Sequence, residues 1–222
     1  MHVCDHMFDA RDLVGGHPVL DFINTVTARD QPEPVDWLAS YESFLQWAAL
    51  SARFSSHDLL ALERRAKLDT AEATRALQDA RQTRELLHAA LAALLDTRDV
   101  LPAIRDALKD RWALACIRAV LVSRDGRIHT TQPIGKSGLG QLADALVTDA
   151  IHFFATLDRS RVRRCSGVHC GWFFVDVSKG GRRRWCDMAT CGNSAKSRRH
   201  RQKKAGAGDP AAGAPAHTAC PH

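Results

Sequence analysis

Long apolar runs are missing from this 222-residue chain. None approaches the ~18 residues of a membrane-spanning helix, which excludes a helical span. Catalytic signatures are missing too. There is no nucleophile elbow, no H-E-x-x-H and no clearly spaced carboxylate pair. The phosphate-loop look-alike Gly135-Lys136-Ser137 has Thr130 where the motif requires glycine, so it reads as a connector. The chain is therefore expected not to be an enzyme. Its N-terminus has no basic segment leading into an apolar core, and seven cysteines is an odd number, so a secreted disulfide scaffold is not expected. A cytoplasmic protein is the expectation that remains.

What is present is concentrated near the C-terminus. Cys165/Cys170 and Cys186/Cys191 form two C-x4-C pairs separated by fifteen residues. That spacing lets each knuckle present two thiolates to one ion, and the intervening residues can go out and return as a hairpin. One structural Zn2+ per chain is the expected cofactor, with no open position for catalysis. His169 and His200 are the spare ligands; a disulfide pair or four unrelated buried thiols are the bland alternatives. Gly171 to Val177 reads as a strand, and Ser178-Lys179-Gly180-Gly181 supplies a turn.

Charge marks the same segment. Residues 159–204 hold fourteen Lys or Arg and two acids, a net +12, while the whole chain is +6, which leaves −6 for everything else. A basic end on an acidic body is what a phosphate backbone would feel. After Cys191, an Asn193 or Ser194 cap would start a helix that is basic nearly all round, with Lys196, Arg199 and Lys203 on one face. Duplex DNA is the expected partner. Arg182, Arg183, Arg184, Asn193, Lys196, Arg198, Arg199, Arg201 and Lys203 are the expected contacts. Six to eight phosphate contacts would give a log–log salt slope of roughly −5 to −7.

The run RCSGVHCGWFFVDVSKGGRRRWCDMATCGNSAKSRRHRQKK resembles the CGNR zinc finger, in its paired cysteines, C-G-W, the Asp176-x-Ser178 turn and R-R-W-C. Upstream, GGHPVLDFINTV and PVDWLASYESFLQWA resemble the opening of the ABATE domain, the α-rich partner of that finger in bacterial proteins classed as stress-induced transcription regulators. The resemblance runs from about Leu13 to Lys204. It implies a zinc-dependent, DNA-binding transcription factor acting in the stress response, associated with the nucleoid. One departure stands out. The motif arginine is Ser194 here, which keeps all four thiolates but removes one guanidinium.

The body reads as helices. Trp37 to Leu50 carries an apolar stripe behind an expected Asp36 cap, and Ser55 opens a second helix. A third, 72–95, repeats Leu77, Ala80, Arg84, Leu87, Leu91 and Leu94, with the arginine interrupting the seam. That stripe packs in a bundle or, as the minority reading, forms a coiled-coil dimer. Pro102 starts a short helix; Trp112–Val122 and Arg127–Thr131 then read as a β-hairpin around Asp125-Gly126. Residues 139–157 form a last helix leading into the finger.

Histidines assemble no triad: His88 and His152 fall within predicted helices. His2, Cys4 and His6 at one end, and His217, Cys220 and His222 at the other, could catch metal adventitiously.

The fold expected is mainly α: an α-rich sensor or dimerisation domain over 1–158 with an inserted β-hairpin, a ribbon- or treble-like finger over 159–204, and a disordered tail over 205–222. Asp21, Asn24 and Trp37 could line an effector pocket, or equally make turns and core. A homodimer would add avidity. Two rival readings are carried forward. One is an RNA-binding ribbon, which needs exposed Trp172 and Phe174. The other is an enzyme or ligand-binding body with a structural zinc appendage. Loss of Cys186 is expected to leave the helical body folded.

Overall fold

The computed structural model describes residues 1–96 and 98–205, with side chains through Gln202. The expected tail, with His217, Cys220 and His222, lies outside the described residues apart from Ala205.

Short strands and helices alternate at the N-terminus. β1 (His2–Val3) runs parallel to β3 (Val35–Asp36), which pairs antiparallel with β2 (Val26–Thr27). Between β1 and β2 lies α1 (Pro18–Ile23), with proline at its first position and the His17 ring accepting from Val19 N–H. Then come α2 (Tyr41–Leu50), α3 (Ser56–Leu68) and the long α4 (Thr70–Leu95). The cap of α2 is Ser40, which forms a capping box with Ser43, and not Asp36. Asp36 is instead buried at the end of β3, where it meets Arg84.

α4 packs its seam inside the body, with Leu77, Ala80, Leu87 and Leu91 buried, so its stripe belongs to a bundle. α5 (Pro102–Arg118) runs seven residues further than the expected change of pattern at Trp112. Its Leu108, Arg111 and Ala115 face inward at helical spacing, and Arg111 holds the buried Asp144 at 2.6 Å. The hairpin is consequently shorter, β4 (Val120–Arg124) with β5 (Arg127–Thr131), and almost wholly exposed. α6 (Gln141–Ala155) buries Leu142 and Leu146. Among the described residues, no helix is long and apolar enough to cross a membrane.

The finger follows: β6 (Val162–Arg164) paired antiparallel with β7 (Phe173–Val175), a π-type turn Met188–Gly192, and α7 (Asn193–Ala205). Asp187 caps that turn, which runs directly into α7, so neither Asn193 nor Ser194 opens an independent helix. The molecule is thus mainly helical with small β-hairpins and a C-terminal finger. One continuous apolar core takes in α1, α2, α4 and α6 together with Val162, Trp172, Phe173, Phe174 and three of the finger's cysteines. Trp172 is 8% and Phe174 0% exposed, so neither offers the open ring that base stacking requires, and the RNA reading loses its condition.

Candidate zinc centre and nucleic-acid interface

The first knuckle hangs from β6 and β7. Cys165 N–H donates to the Trp172 carbonyl at 2.7 Å, closing the loop that carries Cys170. His169 takes a left-handed φ of 64° in that loop. At Gly167 a Cβ would sit 2.8 Å from Cys191 Sγ and 3.3 Å from Cys165 Sγ, so only glycine lets the two knuckles close on each other. The chain returns through Arg182–Trp185, where Ser166 N–H donates to the Arg184 carbonyl at 2.9 Å. Asp187 then accepts from Thr190 N–H at 2.8 Å and shapes the second knuckle.

These two knuckles bring four sulfurs together. All four Sγ lie within 4.8 Å of one another, with Cys170 to Cys186 at 3.6 Å and Cys186 to Cys191 at 3.7 Å. Four sulfurs about 2.3 Å from one ion would stand about 3.8 Å apart, so the set fits tetrahedral zinc and is far too open for a disulfide. Amide N–H groups of Gly167 and Cys186 point at Cys165 Sγ, each at 3.3 Å, as a metal-bound thiolate requires. Zinc held here supplies a closed structural cross-link between the knuckles and no reactive position. Among the described residues this is the one cluster able to hold a metal; His169 and His200 lie outside it.

Asp176, fully buried at the end of β7, organises the return loop. It accepts from Ser178 Oγ at 2.6 Å, Ser178 N–H at 3.0 Å and Arg183 N–H at 2.8 Å. The Ser178 hydroxyl, those amides and nearby Arg163 keep its carboxyl below the usual range.

The basic residues divide into two groups. Arg183 is spent inside the finger: it lies 4.6 Å over the Phe174 ring and donates to the Trp185 and Cys186 carbonyls. Arg163 and Arg161 likewise hold backbone carbonyls of the turn. Arg182 and Arg184 flank Arg183 and are exposed. On α7, Lys196, Arg199 and Arg201 are exposed, Arg198 is half-buried, and Asn193 Nδ2 caps the Ala189 carbonyl at 3.1 Å. The side chain of Lys203 lies outside the described residues. α7 has no acid along its length.

The three residues expected at an effector pocket do not share one. Asp21 accepts from Gly15 N–H at 2.7 Å, and burial pushes its carboxyl up to about 6. Asn24 pairs with the backbone of Phe173. Trp37 stacks on His6 at 3.9 Å and meets Trp172 edge-on at 5.4 Å. Body and finger are in fact locked together along this seam, where Val175 N–H also donates to the Gly15 carbonyl at 2.8 Å. No sequence signal links Asn24 or Gly15 to a strand so far away in the chain. Cys186 belongs to the same apolar core as the helices of the body, so its loss is now expected to reach the body as well as the finger.

No curated protein matches the chain. Residues 161–204 match the CGNR zinc finger model, and residues 16–157 match the ABATE model, described as a putative stress-induced transcription regulator. Neither description names an enzyme. The sulfur cluster lies within the first match, and the second spans more than half of the sequence, so the chain belongs to the ABATE family and carries a CGNR zinc finger.

Proposed function

We propose that this protein is a zinc-dependent transcription regulator that docks on duplex DNA through its finger. The body, residues 1–158, would sense and the finger, 159–204, would bind, in a cytoplasmic, nucleoid-associated protein. The supporting observation is a set of exposed cations, Arg182 and Arg184 with Lys196, Arg199 and Arg201, on the two segments that flank the second zinc knuckle, while of the finger's two acids Asp176 is buried and Asp187 is half-buried and bonded to Thr190. Zinc would fix these side chains in one geometry, so metal and DNA affinity should be lost together.

Metal content and binding to duplex and single-stranded DNA, at several salt concentrations with and without a zinc chelator, test this reading. One zinc per chain, with steeply salt-dependent duplex binding that the chelator abolishes, is the expected result. Zinc without nucleic-acid binding at any salt would make the basic surface a protein-interaction or stability element.

A further inference from the structure

The hairpin of β4 and β5 has no core of its own to fold against. None of its strand residues is buried, and Val122 alone is half-buried. A two-stranded hairpin standing by itself is marginal in water. This one is nonetheless regular, with five cross-strand pairs and no bulge. Asp125 and Gly126, at φ 54° and 70°, supply the two left-handed positions of a type I′ turn. Its apolar side chains face water: Leu121 is 73% and Ile128 74% exposed, and the pairs Leu121–Thr130 and Ser123–Ile128 put both on one face. Ile117, 79% exposed, precedes them in the last turn of α5.

The two edges of the hairpin differ. Arg124 and Arg127 close the turn as a hydrogen-bonded pair, so Leu121 and Ser123 direct their N–H and C=O groups away from β5, and Ile128 and Thr130 direct theirs away from β4. Soluble proteins guard such edges with charge, proline or a bulge. β5 carries Arg127 and His129, whereas β4 has only Arg124 at its end. An antiparallel match of β4 with itself, centred on Val122, sets Leu121 opposite Ser123, Val122 against Val122 and Arg124 opposite Val120. No like charges then stand opposite each other along the new edge.

The charges at the tip fit the same match. Arg124 and Arg127 oppose each other within one hairpin, an unfavourable pair, and neither they nor Asp125 form an ion pair among the described residues. In the matched pair the tip of one copy lies level with the C-terminal end of the other copy's α5. The arginines meet the negative end of that helix, and Asp125 comes beside Arg118, whose side chain is half exposed.

We propose that the free edge of β4 is a self-association surface, pairing with β4 of a second copy about a two-fold axis to build one continuous sheet in the order β5–β4–β4–β5. The match gives each hairpin the further strands it needs and aligns Ile128 and Leu121 of both copies in one diagonal apolar strip. The contact is small, so a dissociation constant in the micromolar range is expected. This surface does not depend on the DNA-binding reading; where both hold, two fingers share one complex and gain avidity.

The test is sedimentation equilibrium of zinc-loaded full-length protein, without DNA, over about 1 to 300 µM. A monomer–dimer equilibrium is expected. Leu121→Glu, which sets two carboxylates into the shared strip, should raise the dissociation constant at least about tenfold with zinc content and circular dichroism unchanged. Leu68→Glu, at a leucine 89% exposed on α3, should leave the dimer intact. Cross-linking reads the edge: in a Cys116→Ser background, Val122→Cys should form an interchain disulfide on mild oxidation, because its Cα would stand about 4.5 Å from its own copy, and His129→Cys should not. A monomer throughout the range, a dimer indifferent to Leu121→Glu, or a cross-link through His129→Cys in place of Val122→Cys would overturn the proposal.

Discussion

Asn24 holds the backbone of Phe173 from both sides, its Nδ2 donating to the carbonyl at 2.8 Å and its Oδ1 accepting the amide at 2.9 Å. The two residues are 149 positions apart and the pair is buried, so one body side chain stands in for a neighbouring strand along β7. Asn24→Ala would leave a buried donor and acceptor unpaired, at a cost of about 2–4 kcal/mol. Because the core is continuous across the seam, thermal melting of the variant should show one transition at lower temperature. Two separate transitions would mean that finger and body unfold independently.

The same continuity governs zinc loss. Cys165, Cys170 and Cys186 are buried members of the common core, whereas Cys116 is exposed and outside the cluster. Cys186→Ser should take bound zinc from about one per chain to none, and lower the melting temperature of the whole protein. Cys116→Ser should change neither quantity, which elemental analysis and calorimetry together would check.

Asp21 gives the fold a pH dependence of unusual sign. Its folded-state carboxyl lies at about 6 against an ordinary 3.8, because burial outweighs the hydrogen bond from Gly15. The folded state therefore binds this proton more tightly than the unfolded chain. The contribution favours folding progressively as pH falls from about 6 to about 4, and above that window the buried charge subtracts about 3 kcal/mol. Asp21→Asn keeps an oxygen for Gly15 N–H, so it should raise stability at pH 7.5 and leave it nearly unchanged at pH 4. Denaturant melts at both pH values decide the matter, and equal shifts at the two would refute the assignment.

Arg84 and Asp36 form a bidentate pair at 2.7 Å, with side chains 0% and 2% exposed. Removing one member leaves a buried charge, so Asp36→Ala should cost about 3–5 kcal/mol, whereas replacing both with apolar residues of similar volume should cost far less. A double-mutant cycle reads the difference directly.

This pair also shows how far the sequence can be read. The interruption of the α4 seam by Arg84 was visible in the repeat, but its partner was not. Asp before an apolar stripe has the look of a helix cap, and only the pairing of β3 with β1 and β2 carries Asp36 inward. The zinc ligands were legible because metal geometry constrains local spacing, which four cysteines display without any long-range contact. Trp112–Arg118 misled because α5 is apolar on its exposed side as well, with Leu114 and Ile117 open to solvent, so the helical period is blurred. The seam at Asn24 and Gly15 left no trace, since backbone hydrogen bonds between distant segments impose no pattern on side chains.

The division among the three consecutive arginines makes the final prediction. Arg182 and Arg184 are exposed, while the Arg183 guanidinium is held by two carbonyls and the Phe174 ring. A phosphate contact is lost only where the charge was free to make it. Arg182→Ala and Arg184→Ala should each reduce the salt slope of duplex binding by about 0.9 without lowering the melting temperature. Arg183→Ala should instead lower the melting temperature and loosen zinc, because carbonyls beside Cys186 lose their donor. Ser194→Arg, on the exposed start of α7, restores the motif charge and should steepen the slope by about 0.9. If the Arg182/Arg184 double variant bound duplex with an unchanged slope, the returning segment would not face DNA, and the interface would have to lie on α7 alone.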